Sequence, residues 1–396
     1  MAIVLFDTAN SKDLYPLTCN KAAAALRCGI YTIKERWQKI AGKKVYIFTA
    51  GYLSGLYNDI PFDEHIWIDA LIFTDDKLLQ KILLLNEGEY ISNGEGFIAG
   101  RGKIDAKNFI SSNPKQYFNK EIKYSEIKKL QHLWQIFQWN DEMIRNDFTL
   151  ITKEKSSQQI SSSNKIIGEE NIFIEPGAAV EHAIINASAG PVYIGKNVLI
   201  MEGAMLRGPL ALCEGSVIKM GAKIYGATTI GEYCVAGGEI KNSIINNYSN
   251  KAHDGYLGDS IIGEWCNLGA GTANSNVKNT GADVKVWNDA NKILEDAGNK
   301  CGMVMGDYTF TAINTSINTG TVIGICCNVF GEGLTPKHIP GFSWGFHNFK
   351  QYNFTKLLQH IDNWKKMKGH SLTKSEQEIL KHIFEKVTAE ENFEDA

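Results

Sequence analysis

The sequence predicts an α/β N-terminal domain with a Rossmann-like sheet, a left-handed parallel β-helix of hexapeptide repeats, and C-terminal helices. Three observations predict it. Bulky aliphatic residues fall at every sixth position through Ile194, Ile200, Leu206, Leu212, Ile218, Ile224 and Ile230. That period fits neither a 3.6-residue helix nor strand alternation. The fourth residue after each is mostly small, as at Ala204, Ser216, Ala222 and Thr228, which leaves room at a corner. Upstream, apolar strands alternate with helical patterns, the arrangement of a mostly parallel sheet.

With 396 residues the chain can hold two cores. The expected division is an α/β domain with a helical connector over 1–150, the β-helix over 151–345 and a helical segment over 346–396. A net charge of −3 offers no basic footprint for nucleic acid. The most basic stretch, Lys365-Lys366-Met367-Lys368, reads as a solvated helix face. No apolar run approaches the roughly 18 residues of a membrane span. The start, Met1 to Asp7, reads as a buried strand and not as a secretory leader, so a cytoplasmic protein is expected. Eight cysteines without a Cys-x-x-Cys are expected as free, mostly buried thiols.

In chain order, a strand at Ile3–Phe6 leads through a polar loop to a helix expected over Lys21–Ile40. Strands at Val45–Thr49 and Ile66–Ile68 and a helix near Lys77–Leu85 follow. The loop after the first strand lies at the carboxyl edge of such a sheet, where ligands bind. Lys12, Lys21 and Arg27 are candidate phosphate contacts, and Asp69 is a candidate Mg²⁺ ligand because a carboxylate with substrate phosphates commonly holds this ion. Ordinary surface cations and a capping carboxylate are the plainer alternatives. No glycine lies between Asp7 and Lys21, so the usual phosphate cradle is missing or rebuilt. Ile127–Ile144 has a packing stripe at helical spacing through Leu130, Leu133, Trp134 and Phe137. An earlier coil is expected at Ile174 and Val180. The six-residue step resumes at Ile262 and Leu268 and again from Met305 to Val329. The breaks at 236–261 and 277–300 predict loops leaving the prism, where function tends to sit. Thr373 and Glu376 form a capping-box pattern within a helical segment expected over Tyr352–Val387, and the acidic end from Ala389 is expected to fray.

The first break and the coil after it concentrate chemistry: Glu239, Lys241, His253, Tyr256, Asn267 and Asn276. Histidine is the side chain best suited to take a proton near neutral pH. The others offer hydrogen bonds of both signs, suiting a phosphorylated sugar.

Lys251-Ala-His253-x-x-Tyr256-Leu-Gly-Asp-Ser-Ile-Ile-Gly263 resembles the motif around the catalytic histidine of the GlmU family. Asn267-Leu-Gly-Ala-Gly-Thr272 is similar to that family's asparagine-led glycine motif. Tyr15-Pro-Leu-Thr18 resembles part of the sugar-phosphate nucleotidyltransferase signature. Leu26–Ile30, Asn250–Gly255, Met305-Gly306-Asp307 and Ile313-Asn314-Thr315 resemble a branch with a compact, atypical nucleotidyltransferase domain. The resemblance implies N-acetylation of a glucosamine 1-phosphate-like amino-sugar phosphate by acetyl-CoA, with nucleotidyl transfer from UTP giving a UDP-sugar. It implies His253 as general base, with Tyr256, Asn267 and Asn276 orienting the sugar, Lys241 near its phosphate and Glu239 beside it. It also implies a homotrimer, and Mg²⁺ where the N-terminal domain is active. Two departures are visible: Val277-Lys278-Asn279 replaces tyrosine-aspartate-glycine, and Tyr308-Thr309-Phe310 stands where the branch carries histidine and lysine. A non-catalytic sugar-nucleotide-binding sensor or scaffold is the alternative. A zinc enzyme on the same prism would need three convergent histidines, and His182, His253 and His338 are widely scattered.

Overall fold

The computed structural model describes residues 1–94, 96–391 and 393. It divides into two compact units. The first holds Met1–Leu14, Thr18–Leu26 and Tyr31–His132; the second holds Tyr15–Leu17, Arg27–Ile30 and everything from Leu133. The division thus falls after His132, and the connector helices pack with the second unit.

The first unit is a six-stranded sheet in the order Val45–Phe48, Ala2–Phe6, Glu64–Asp69, Phe97–Lys103, Glu89–Ser92, Lys120–Lys123. The Ala2–Phe6 strand is parallel to both neighbours and buried at every residue, as a continuous apolar run requires. Beyond it the sheet turns mixed, because Phe97–Lys103 runs antiparallel to both Glu64–Asp69 and Glu89–Ser92. The sheet is mostly parallel as expected, since Glu89–Ser92 is again parallel to Lys120–Lys123; the one reversed strand follows Asn93-Gly94, a hairpin turn signal that the alternation of strands and helices concealed. The helix expected over Lys21–Ile40 is also shorter. It runs Ile33–Ala41 behind a Thr32–Glu35 capping box, after a short turn at Ala23–Ala25. Gly29, at φ 90°, interrupts the segment between them. The Ile127–Ile144 stripe is likewise divided: Lys128–Lys129 pairs with Ile72–Phe73 as a strand, and the helices are Gln135–Gln138 and Asn140–Thr152.

In the second unit, parallel strands stack into the faces of a β-helix. Each six-residue position from Ile194 to Ile230 is buried, and the inward columns continue through Ile240, Ile245, Leu257, Ile262, Met305 and Ile323. The first break is not an excursion. Strands Glu239–Lys241, Ile244–Ile245, Asn250–Lys251, Tyr256–Gly258 and Ile261–Ile262 all stay in the ladders. The coils are only shorter: Ile230 pairs with Ile245, whereas the regular step would reach Tyr248. The second break is a true excursion, an antiparallel hairpin of Lys285–Asn288 with Ile293–Asp296.

One corner of the prism carries Tyr233, Tyr248, Trp265 and Tyr308 in left-handed conformation, with φ between 55° and 63°. Bulky residues rarely adopt it. Here the rings form a ladder, Tyr248 stacking on Trp265 at 4.2 Å and on Tyr233 at 5.3 Å. The C-terminal helices, Phe354–Lys366 and Lys374–Glu390, dock on this ladder. Lys365 is buried, lies over the Trp265 ring and pairs with Glu376 at 2.5 Å. Lys368 donates to the Tyr233 carbonyl and to Asn250 Oδ1. Lys365 and Lys368 therefore dock, while Lys366 and Met367 between them stay exposed as expected of a solvated face. The Thr373–Glu376 capping box forms as its spacing predicts. The helix persists through Glu390; positions 392 and 394–396, where fraying was also expected, lie outside the described residues.

Trp265→Ala is expected to cost about 3–5 kcal/mol, as for other large buried aromatics. Urea denaturation measures the loss, and limited proteolysis should cut 352–390 sooner than in the parent protein.

Candidate functional site

His253 sits at the corner between the Asn250–Lys251 and Tyr256–Gly258 strands. Its side chain is exposed, and its ring has no hydrogen-bond partner among the described residues. The corner is closed by glycine. A Cβ on Gly255, at φ 124°, would lie 2.1 Å from the Thr272 carbonyl, and one on Gly238 would lie 2.7 Å from that of His253. No other residue fits this approach without moving the coils apart.

The face beyond the corner gathers most of the expected polar residues. Glu239 pairs in register with Tyr256, and Lys241 with Gly258. Asn276 donates to the Tyr256 hydroxyl at 3.2 Å and to Asp259 Oδ2 at 2.5 Å. Asn242 donates to the other Asp259 oxygen at 2.6 Å. Tyr225, one coil earlier, donates to Glu239, and Lys241 lies 5.9 Å over its ring. Donating to that carboxylate pushes the Tyr225 phenol up to about 12. Burial, then the carboxylates of Asp259 and Glu239, also raise Tyr256, so both phenols stay neutral donors near neutral pH. Sequence reasoning missed Tyr225, Asn242 and Asp259. Asp259 lies within the Lys251–Gly263 motif, where the sequence pattern alone does not mark it; Tyr225 is separated in sequence and joined only by the coil register.

Asn267 is not in this group. It occupies a different face, paired with Asn250 and next to Phe310, which stacks on Trp364 at 5.3 Å. Within one chain the six expected residues are thus split between two faces and a corner.

The N-terminal candidates separate as well. Lys12 is exposed and Lys21 half-buried in the first unit, while Arg27 belongs to the second. Arg27 is 4% exposed and is held by Glu232 at 3.4 Å, by Asn247 at 3.3 Å and by the Ile30 carbonyl. This corrects its expected nucleotide contact: the guanidinium is committed inside the protein. Around it, Gly29 N–H donates to Asn140 at 2.6 Å and Ile30 N–H to Asp147 at 2.8 Å, while Thr229 donates to the Gly29 carbonyl.

Asp69 closes its strand at the carboxyl edge, as expected, but it is 1% exposed and paired with Lys129 at 2.8 Å. Its other oxygen accepts the Leu71 N–H. Burial raises its carboxyl against the pull of Lys129. Asp7, at the end of the adjacent strand, accepts from Ala23 N–H and from Thr49. No group of three or more metal-ligating side chains occurs among the described residues. Lys129 and the Leu71 N–H thus face the two Asp69 oxygens.

Residues 3–156 match the family described as sugar nucleotidyl transferase. The bifunctional protein GlmU of Methanocaldococcus jannaschii is 38% identical over 101 residues, 26% of this chain and 24% of that protein. The bifunctional sugar-1-phosphate nucleotidylyltransferase/acetyltransferase of Sulfurisphaera tokodaii is 29% identical over 264 residues, 65% of this chain and 60% of that protein. The chain therefore spans between about a quarter and three fifths of these two relatives' length. A UDP-N-acetylglucosamine acyltransferase structure from Francisella novicida aligns with a TM-score of 0.32 and 16% identity, covering 57% of this chain and 79% of that one.

Burial lifts the Asp7 carboxyl from 3.8 to about 6. A raised acid stabilises the fold only while protonated: the contribution is complete below about 4 and lost as pH rises through about 6. Asp7→Asn is therefore expected to gain up to about 3 kcal/mol at pH 8, with the gain vanishing near pH 4. Urea denaturation at the two pH values checks this.

Proposed function

We propose that this GlmU-like chain is an acetyl-CoA-dependent N-acetyltransferase acting on an amino-sugar phosphate. The observation that carries the reading is the convergence of Glu239, Tyr256, Asn276 and Asp259 on one face beside the exposed His253 corner. The network is polar, partly buried and holds both carboxylates and neutral donors, a surface suited to sugar hydroxyls. Lys241 supplies the cation for the phosphate.

In this reading His253 takes a proton from the attacking amine as the amine nitrogen bonds to the thioester carbonyl carbon. The carbon–sulfur bond then breaks, the amide forms, and the CoA thiolate leaves and is protonated. Such general-base help is worth roughly 10²–10⁴-fold in rate. Asn267 lies on another face of the same prism, so it reaches the sugar only if a second copy presents that face. A homotrimer with shared sites follows from this reading.

For the N-terminal unit the reading is a nucleotidyltransferase-like domain whose transfer step is weakened or lost. Asp69 is committed to Lys129, and Arg27 is committed within the second unit. The same observations favour the alternative, a sugar-nucleotide-binding scaffold, for that unit alone.

His253→Ala is expected to lower CoA release from acetyl-CoA and glucosamine 1-phosphate by at least about 100-fold, followed with a thiol reagent. No release by the parent protein across a panel of amino-sugar phosphates would defeat the proposal. Asn276→Ala should raise the sugar KM about tenfold, near 1.4 kcal/mol. Co-refolding His253→Ala chains with Asn267→Ala chains should restore part of the activity, since mixed assemblies contain intact shared sites.

A further inference from the structure

The column of inward residues on the face leading to His253 runs Val180, Ile200, Ile218, Ala236 and then Lys251. It is apolar again at Leu268. Lys251 is 2% exposed, one of the largest fully enclosed side chains in the protein. Its ammonium donates to the Gly237 carbonyl at 3.3 Å and, more closely, to that of His253. A lysine inside an aliphatic prism is costly unless its charge is met by hydrogen bonds, so its presence calls for a reason beyond filling space.

The position supplies one. Ile218 pairs with Ala236 at the regular step, and the same step from Ala236 would reach Asp254. The shortened coil places Lys251 there instead, directly before the corner. Small Ala236 below leaves room for the long side chain. The two carbonyls it holds belong to successive coils and to the same corner, and one of them is that of His253 itself.

We propose that Lys251 is a positioning residue for His253. By drawing the His253 carbonyl into the prism, the ammonium fixes that peptide plane and so directs the imidazole outward over the polar face. It also ties the corner to Gly237 on the preceding coil, which holds Glu239 in step. The lysine does not touch the substrate; it acts through the backbone it clamps. Burial lowers its pKa to about 8, with nearby Asp254 pulling the other way. The inference rests on the acetyltransferase reading for its effect on rate, but its geometry is testable without any activity.

Lys251→Met keeps the length and apolar stem and removes the clamp. In the full-length protein, folded Lys251→Met is expected to lose at least tenfold in kcat with the sugar KM changed less than twofold. The His253 ring signals, assigned by their absence in His253→Ala, should shift or broaden in the NMR spectrum. Lys251→Arg, which restores a cation, should recover part of both. Unchanged kcat and unchanged His253 signals in folded Lys251→Met would overturn the proposal, leaving lysine a packing residue. If Lys251→Met does not fold, the parent protein decides. Its Lys251 ammonium protons should be protected from solvent exchange and show a contact to the His253 α-proton, and failure to see that contact overturns the inference. Should the parent protein transfer no acetyl group, the acetyltransferase reading fails while the NMR comparison still decides the clamp.

Discussion

The β-helix depends on one constraint: strands of two or three residues satisfy their backbone only through the coils before and after. A parallel ladder of this kind has no local partner to fall back on. Each coil must therefore present its N–H and C=O groups at the height its neighbours demand. The inward aliphatic columns, the left-handed corners and the glycines at close approaches all serve that register. Where the coil shortens, as between Ile230 and Ile245, the ladder is kept and the corners give way. The candidate site lies in this compressed region.

The compression also explains why the polar residues converge. Tyr225, Glu239 and Tyr256 are far apart in sequence but stand on adjacent rungs of one face. Asp259, 4% exposed, is surrounded by the amides of Asn242 and Asn276, so its position is set before any ligand arrives. A side chain held this way is pre-organised, and its hydrogen bonds need no rearrangement when a ligand arrives. The aromatic ladder on another corner does the corresponding work for the C-terminal helices, with Lys365 and Lys368 as its fasteners.

The β-helix was legible in the sequence because its period is carried by single inward residues such as Ile200 and Ile218, each buried by its own coil. The residues around His253 were legible through their motif. Legibility ended where partners are set by register or by distant segments. Tyr225 is indistinguishable from any other outward tyrosine until the coil places it beside Glu239. The gap between Ile230 and Ile262 looked like a loop because a shortened coil shifts the phase of the pattern while keeping its burial. Arg27 looked like a phosphate contact because a sequence cannot show that Glu232 and Asn247 enclose it. Asp69 stood at the expected strand end, yet the partner that commits it, Lys129, lies on a strand read as helix.

Arg27–Ile30 lies among the first residues of the chain, yet it belongs to the unit that the last residues complete. Asn140, Asp147 and Thr229 bond its backbone, and Glu232 holds its arginine. During synthesis these four residues leave the ribosome long before their partners exist, so the second unit closes only when an early segment is captured by a late one. A gene cut at residue 133 would yield a β-helix with an open slot where that segment belongs. The two halves are separable as compact bodies but not as pieces of chain.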